Sequence, residues 1–259
     1  MHFTTATALL SIAAFAAAAP VDIDSYPPTV NSKAFRLVVN VTDPSRDLSP
    51  PVHGTEIFPY FINSSLIRAG VAQAGAGSVF LQFPDPNPSS PKFAPFGGQL
   101  LTEQGGPDNV LGLNQISHPD DTPFPDNDPR YAMSFTPGKG TMGIQLAVGG
   151  HYAFVRPSEF SGGLGNFAIC RIDLGQRDHH GHERWMQALD SISLSTDENG
   201  EFGLHIPEGC THVRLVAQCD VLKEVPEGSA AWPFHQAAQE VRCYEDVMAI
   251  DWSQYEFSL

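Results

Sequence analysis

Along most of this chain, apolar side chains recur at every second residue. In "AFRLVVNVT" Phe35, Leu37, Val39 and Val41 share one side of an extended backbone, because successive side chains of a strand point to opposite faces. The segments "MGIQLAV", "NFAICRIDL", "SISLS", "FGLHI" and "VRLVAQC" alternate in the same way. Short half-buried strands must pair and bury one face against another layer. The pattern therefore predicts a mainly β protein, an antiparallel β-sandwich or jelly-roll-like barrel with long proline-rich loops and two short helices. Helical spacing is confined to "ERWMQALDSI", residues 183–192, and "PFHQAAQEV", residues 233–241.

Turn chemistry divides these elements. Between "SISLST" and "FGLHI" lies "DENG", and Asn199-Gly200 supplies the positive φ angles of a tight hairpin turn. Of 22 prolines, eleven fall between Pro84 and Pro137. Proline cannot donate to a sheet ladder, so residues 84–137 are expected to form a loop insert with one strand at "GGQLLT". Loops this long inside a compact domain are usually functional or disordered.

The opening "MHFTTATALLSIAAFAAAAP" carries an apolar run from Ala6 to Ala19. About 14 apolar residues fall short of the roughly 20 that span a bilayer, which fits a secretory signal peptide over residues 1–18. Residues 19–32 read as a short linker and 33–259 as a single β domain. The tail "DWSQYEFSL" has no anchor signal, so a secreted protein, extracellular or in the cell wall, is expected without membrane insertion. Asn40 in "NVT" and Asn63 in "NSS" are glycosylation acceptors in such a compartment.

Cys170, Cys210, Cys219 and Cys243 favour two disulfides in an exported chain. "THVRLVAQ" between Cys210 and Cys219 alternates like a strand. It would hold its ends roughly 25 Å apart, too far for a bridge between them. Cys170 with Cys210 and Cys219 with Cys243 is the expected pairing. The formal charge of −15 repels nucleic acid and anionic lipid and leaves neutral or cationic partners, such as a small molecule or a glycan.

Chemistry-bearing motifs are sparse. In "DHHGHERW" His180 and His182 fall on one side of an extended segment, and His205 and His212 on later strands could join them around one transition-metal ion. The carboxylates Asp178 and Glu183 do not continue as a cupin-type ligand set, and Arg177 and Arg184 oppose a cation. No bound cofactor is therefore the expectation, with the metal site as alternative. Gly138, Gly140 and Gly143 match G-x-G-x-x-G, yet precede a strand instead of opening a helix, which removes the dinucleotide reading. No serine sits in a nucleophile elbow. Arg46 and Asp47 can pair across the turn after the first long strand, with His53 nearby.

The stretch "SKAFRLVVNVTDPSRDLSPPVHG", Ser32 to Gly54, together with "FAICR" and "VRLVAQCDV", resembles the pattern of a widespread group of small secreted proteins of filamentous ascomycete fungi that carry a domain of unknown function. The resemblance covers Lys33 to Ile250. It implies a fungal exported β protein and no assigned catalytic residue. The expectation is a non-enzymatic secreted or cell-wall-associated protein, binding a small apolar or glycan ligand in a cleft rimmed by Phe93, Phe96, Phe124 and Tyr131. The alternative is an enzyme, either metal-dependent through the histidines or a metal-free isomerase or cyclase of fungal metabolites.

Overall fold

A computed structural model of the chain describes residues 26–84, 98–103, 108–116, 130–138, 140–141, 143–146, 153–156, 166–177, 180–196 and 200–255. The strands in chain order are β1 (Val30–Ser32), β2 (Ala34–Val41), β3 (Glu56–Phe61), β4 (Ile67–Ala72), β5 (Val79–Pro84), β6 (Gly98–Glu103), β7 (Val110–Ile116) and β8 (Arg130–Pro137). They continue with β9 (Gln145–Leu146), β10 (Val155–Arg156), β11 (Asn166–Arg177), β12 (Glu183–Ile192), β13 (Ser195–Thr196), β14 (Phe202–Gly203), β15 (Cys210–Asp220) and β16 (Val241–Cys243). One helix, α1 (Trp232–Ala237), lies before the last strand.

Ten strands form one antiparallel sheet in the order β11-β15-β2-β3-β4-β12-β8-β7-β6-β5. The row closes on itself twice. Phe35 on β2 faces Phe80 on β5, and β11 pairs with β12 from Asn166 opposite Ile192 to Arg177 opposite Glu183. Closure gives strands at the ends of the row partners for groups that an open edge would leave unpaired. This is the mainly β, sandwich-like architecture that the alternation predicts.

The predicted apolar side of β2 is the core. Phe35, Leu37 and Val39 have no exposed surface, and Phe80, Met133, Phe135, Ile169, Leu189 and Leu215 pack with them. Fully burying such a side chain is worth about 1.5–3 kcal/mol. A second cluster lies near α1, where Leu81, Leu101, Val110, Ala231 and Ala238 meet Phe83 and Phe234. A third surrounds the Cys170–Cys210 disulfide, which joins residues directly opposite on β11 and β15. The other disulfide, Cys219–Cys243, ties the end of β15 to β16.

β4, β8 and β12 all pair with one another in antiparallel sense: Arg68 faces Ser134, Asp190 faces Ala132, and Ala188 faces Gly70. Three straight strands cannot do this, so each must change neighbour at the junction. A polar contact fills the branch point. The Arg68 Nη2 donates to Asp190 Oδ1 at 2.5 Å, with the two side chains 3% and 0% exposed.

Several sequence expectations change. Residues 183–192 are strand, not helix. From Ala188 to Ile192 every residue is buried, so the alternation that marks a one-faced strand is lost, and Met186, Leu189 and Ile192 mimic helical spacing. The interval 84–137 contributes three strands, β6, β7 and β8, instead of one, because its prolines collect in the connections and at the strand ends Pro84 and Pro137. The final residues of the expected linker form β1, with Asn31 opposite Arg242 on β16. The second expected helix is shorter, since Val241 already belongs to β16. The "DENG" hairpin is present as β13 and β14, with Gly200 at φ 83°; Asn199 lies outside the described residues.

Candidate functional site

The four candidate metal histidines occupy separate settings. His180 and His182 are exposed between β11 and β12, their rings 6.1 Å apart. His205 follows β14, with Nε2 3.0 Å from the Glu201 carbonyl, which it can contact only as a donor. His212 on β15 is half-buried, with Nδ1 2.9 Å from Thr42 Oγ1 and Nε2 3.1 Å from Asn166 Oδ1. Both its ring nitrogens are thus engaged. Burial, and then the neighbouring Arg214 charge, push the ring below the usual histidine range. Among the described residues no three His, Cys, Asp or Glu side chains are grouped to hold a metal ion. Asp178 and His179 lie outside the described residues, and Glu183 forms a long, exposed contact with Arg177 at 3.9 Å.

Of the expected aromatic rim, Phe93, Phe96 and Phe124 lie outside the described residues. Tyr131 is half-buried on β8, opposite Ser191. The strand ends that bound these segments are adjacent along the sheet. Pro84 faces Gly98, Ile116 faces Ala132, and Ile192 faces both Arg130 and Asn166. Both ends of segments 85–97 and 117–129 and the C-terminal end of segment 157–165 therefore follow one another along one rim.

The loop after β2 is organised by its acids. Asp43 Oδ1 accepts from the Ser45 backbone N–H and hydroxyl and caps the 3-10 turn Pro44–Arg46. Asp47, expected to pair with Arg46, instead accepts from the backbone N–H of Leu48, Val52 and His53. His53 Nδ1 accepts from the Val41 N–H, and Gly54 turns the chain at φ 76°. Apart from the Ser45 hydroxyl on Asp43, these contacts fix backbone. Likewise the glycine triplet sits between β8 and β9, and Gly140 lies so close to the Leu113 and Leu100 carbonyls that a Cβ would be 2.6 and 3.1 Å from them.

The two glycosylation acceptors differ sharply. Asn40 is 4% exposed on β2, opposite Arg214. Asn63 is exposed in a turn, where its Oδ1 accepts from Ser65 N–H, Ser65 Oγ and Leu66 N–H.

One exposed polar-aromatic patch was not legible beforehand. Beyond Cys170 and Ala188, β11 and β12 continue as a two-stranded arm. Trp185, 38% exposed, stands opposite Asp173, and Gln187 stands opposite Arg171. The four side chains share one face, and the Arg171 guanidinium lies 4.4 Å from the Trp185 ring centre. Gln187 Nε2 donates to the Pro50 carbonyl at 2.6 Å. The other face is braced: Arg184 donates to Gln176 Oε1 and Tyr60 Oη, and the Met186 methyl is packed near Gly70 beside Phe58 and Tyr60. Reading residues 183–192 as a strand would have grouped Trp185 with Gln187; Arg171 and Asp173 emerge only from the register.

Together these features define a disulfide-bonded antiparallel β protein whose polar clusters, as far as they are described, mostly fix backbone. The chain belongs to the family described as "Domain of unknown function (DUF7907)", whose model matches residues 32–219, the interval that contains the loop built on Asp43 and Asp47. It is 26% identical over 234 residues to the "Antigenic protein SchS34" of the filamentous fungus Stachybotrys chartarum, covering 90% of this chain and 95% of that protein. No solved structure matches the chain.

Proposed function

We propose that this is a non-enzymatic exported fungal protein that binds a glycan or small apolar ligand at the rim where segments 85–97 and 117–129 begin and end and segment 157–165 ends. The adjacency of those strand ends carries the reading. The sheet holds these ends next to one another, and connections carried by a sheet commonly serve as binding elements. Phe93, Phe96, Phe124 and Tyr131 supply stacking surface there, and a charge of −15 disfavours anionic ligands.

Export rests on the apolar opening, removed as a signal peptide over residues 1–18, on the two disulfides and on the antigenic relative. Residues 33–259 then act as one β domain, with an N-glycan on Asn63. Among the described residues no helix is long and apolar enough to cross a membrane.

The test is depletion of the protein, secreted from a fungal host, from solution by insoluble β-glucan, chitin and mannan, beside titration with an apolar fluorescent probe. Saturable uptake weakened by replacing Phe93, Phe96 and Phe124 with alanine is the expected result. Absence of uptake on every polymer and of probe binding refutes the reading.

A further inference from the structure

The arm formed by the ends of β11 and β12 has features that the rim does not explain. An indole of low polarity stays 38% exposed on a strand whose opposite face is braced by Arg184, Tyr60, Gln176 and Met186. Around it stand a guanidinium, a carboxylate and a carboxamide, those of Arg171, Asp173 and Gln187. Asp173 also accepts from the Gly175 N–H, and the register shifts between Asp173 and Arg177, where Gly175 takes φ 62°. Such an irregularity bends a strand and re-aims the side chains beside it.

We propose that Trp185, Arg171, Asp173 and Gln187 form a surface subsite for a neutral oligosaccharide. The inference deepens the glycan reading above and gives it a second contact, away from the rim. A pyranose ring offers an apolar C–H face and an equatorial fringe of hydroxyls. An indole takes the first, while planar groups that donate and accept in pairs take the second. Charge selects the class of ligand: Arg171 and Asp173 cancel, and the acidic body around them repels polyanions. An apolar ligand would leave the desolvated Asp173 and Arg171 poorly compensated, so sugar fits the patch better.

The experiment uses the full secreted protein, labelled with 15N and titrated with neutral hexasaccharides of glucose, N-acetylglucosamine, xylose and mannose. The chain has three tryptophans, and of these Trp185 is the exposed one, while Trp232 and Trp252 are half-buried. The expected result is a saturable shift of the Trp185 indole N–H signal by at least one sugar. Trp185→Ala then weakens binding tenfold or more, and Trp185→Tyr returns it to within about threefold of the original. Thermal unfolding of both variants reports that the fold is intact. Sugar binding with unchanged affinity in Trp185→Ala overturns the subsite and leaves the rim reading standing. Absence of binding by all four sugars at millimolar concentration overturns the subsite together with the glycan half of that reading, while the apolar probe still tests the other half.

Discussion

Replacing Asp190 by leucine removes one member of the ion pair at the junction of β4, β8 and β12. The Arg68 and Asp190 side chains are 3% and 0% exposed and their charged atoms meet at 2.5 Å. At an effective dielectric constant near 20, two unit charges at that distance attract by about 7 kcal/mol. Removing each ion from water costs several kcal/mol, so the intact pair contributes little net stability. Breaking it is different, because the remaining charge stays buried. Arg68 cannot discharge: burial lowers its affinity for the proton, and nearby Arg130 adds to this while Asp190 opposes it, yet a guanidinium remains charged at any pH of interest. Asp190→Leu should therefore cost about 3–5 kcal/mol, a fall in melting temperature of roughly 6–20 °C for a chain of this size. Arg68→Met should cost less, and less still as pH falls, since an unpaired carboxylate can take up a proton. The double variant should be more stable than Asp190→Leu alone. Urea unfolding at pH 7 with both disulfides intact measures all three. If the two single losses simply add in the double variant, the pair does not fill the branch point as argued.

Three further outcomes follow from local geometry. A Cβ at Gly77 would lie 2.3 Å from the Cβ of Glu56, whose carboxylate accepts from Gly75 N–H, Gly77 N–H and Arg36; Gly77→Ala should cost about 2–4 kcal/mol by urea unfolding, against about 1–2 for Gly75→Ala, which has φ 81° and open space. His212 is held below its ordinary range in the fold, so the unfolded chain binds the proton more readily; stability is complete above about pH 6.5 and declines as pH falls through that window, by up to about 1.4 kcal/mol per pH unit. His212→Asn should flatten that part of the urea midpoint profile. Peptide mass analysis after enzymatic glycan release should show conversion to aspartate at Asn63 and not at Asn40, which is 4% exposed.

Legibility of the fold tracks whether polar residues interrupt the apolar ones at every second position. β2 announces itself through Phe35, Leu37, Val39 and Val41 with Arg36 and Asn40 among the positions between them, although its other face is buried as well, and β15 does so through Val213, Leu215 and Ala217. The C-terminal half of β12 is buried on both sides, and no period survives there to separate strand from helix. The strands β6, β7 and β8 are obscured for another reason: residues 84–137 are dense in proline as a whole, although Pro84 and Pro137 stand at strand ends and the others fall between strands. Local turn chemistry was readable where one side chain caps its own turn, as Asp43 does. It misled at Asp47, where a charge partner was expected beside it and three backbone amides within six residues took its place.

Site residues were hidden more deeply, because cross-strand neighbours depend on register, and register depends on bulges. "DHHGHERW" attracts attention through its histidines, which a ligand set would require to converge. Two of them end on an exposed turn, while His212 is occupied between Thr42 and Asn166. The last residue of that stretch, Trp185, stands in a cross-strand cluster. Its partners Arg171 and Asp173 are contributed by β11, across a shift that sequence spacing alone would misplace by two residues: Asp173 faces Trp185, whereas Arg177 faces Glu183. Moving that shift would take Asp173 away from the indole without changing a single residue of the patch. Gly175, at φ 62° within the shift, is for that reason as much a determinant of the surface as the tryptophan it helps to place.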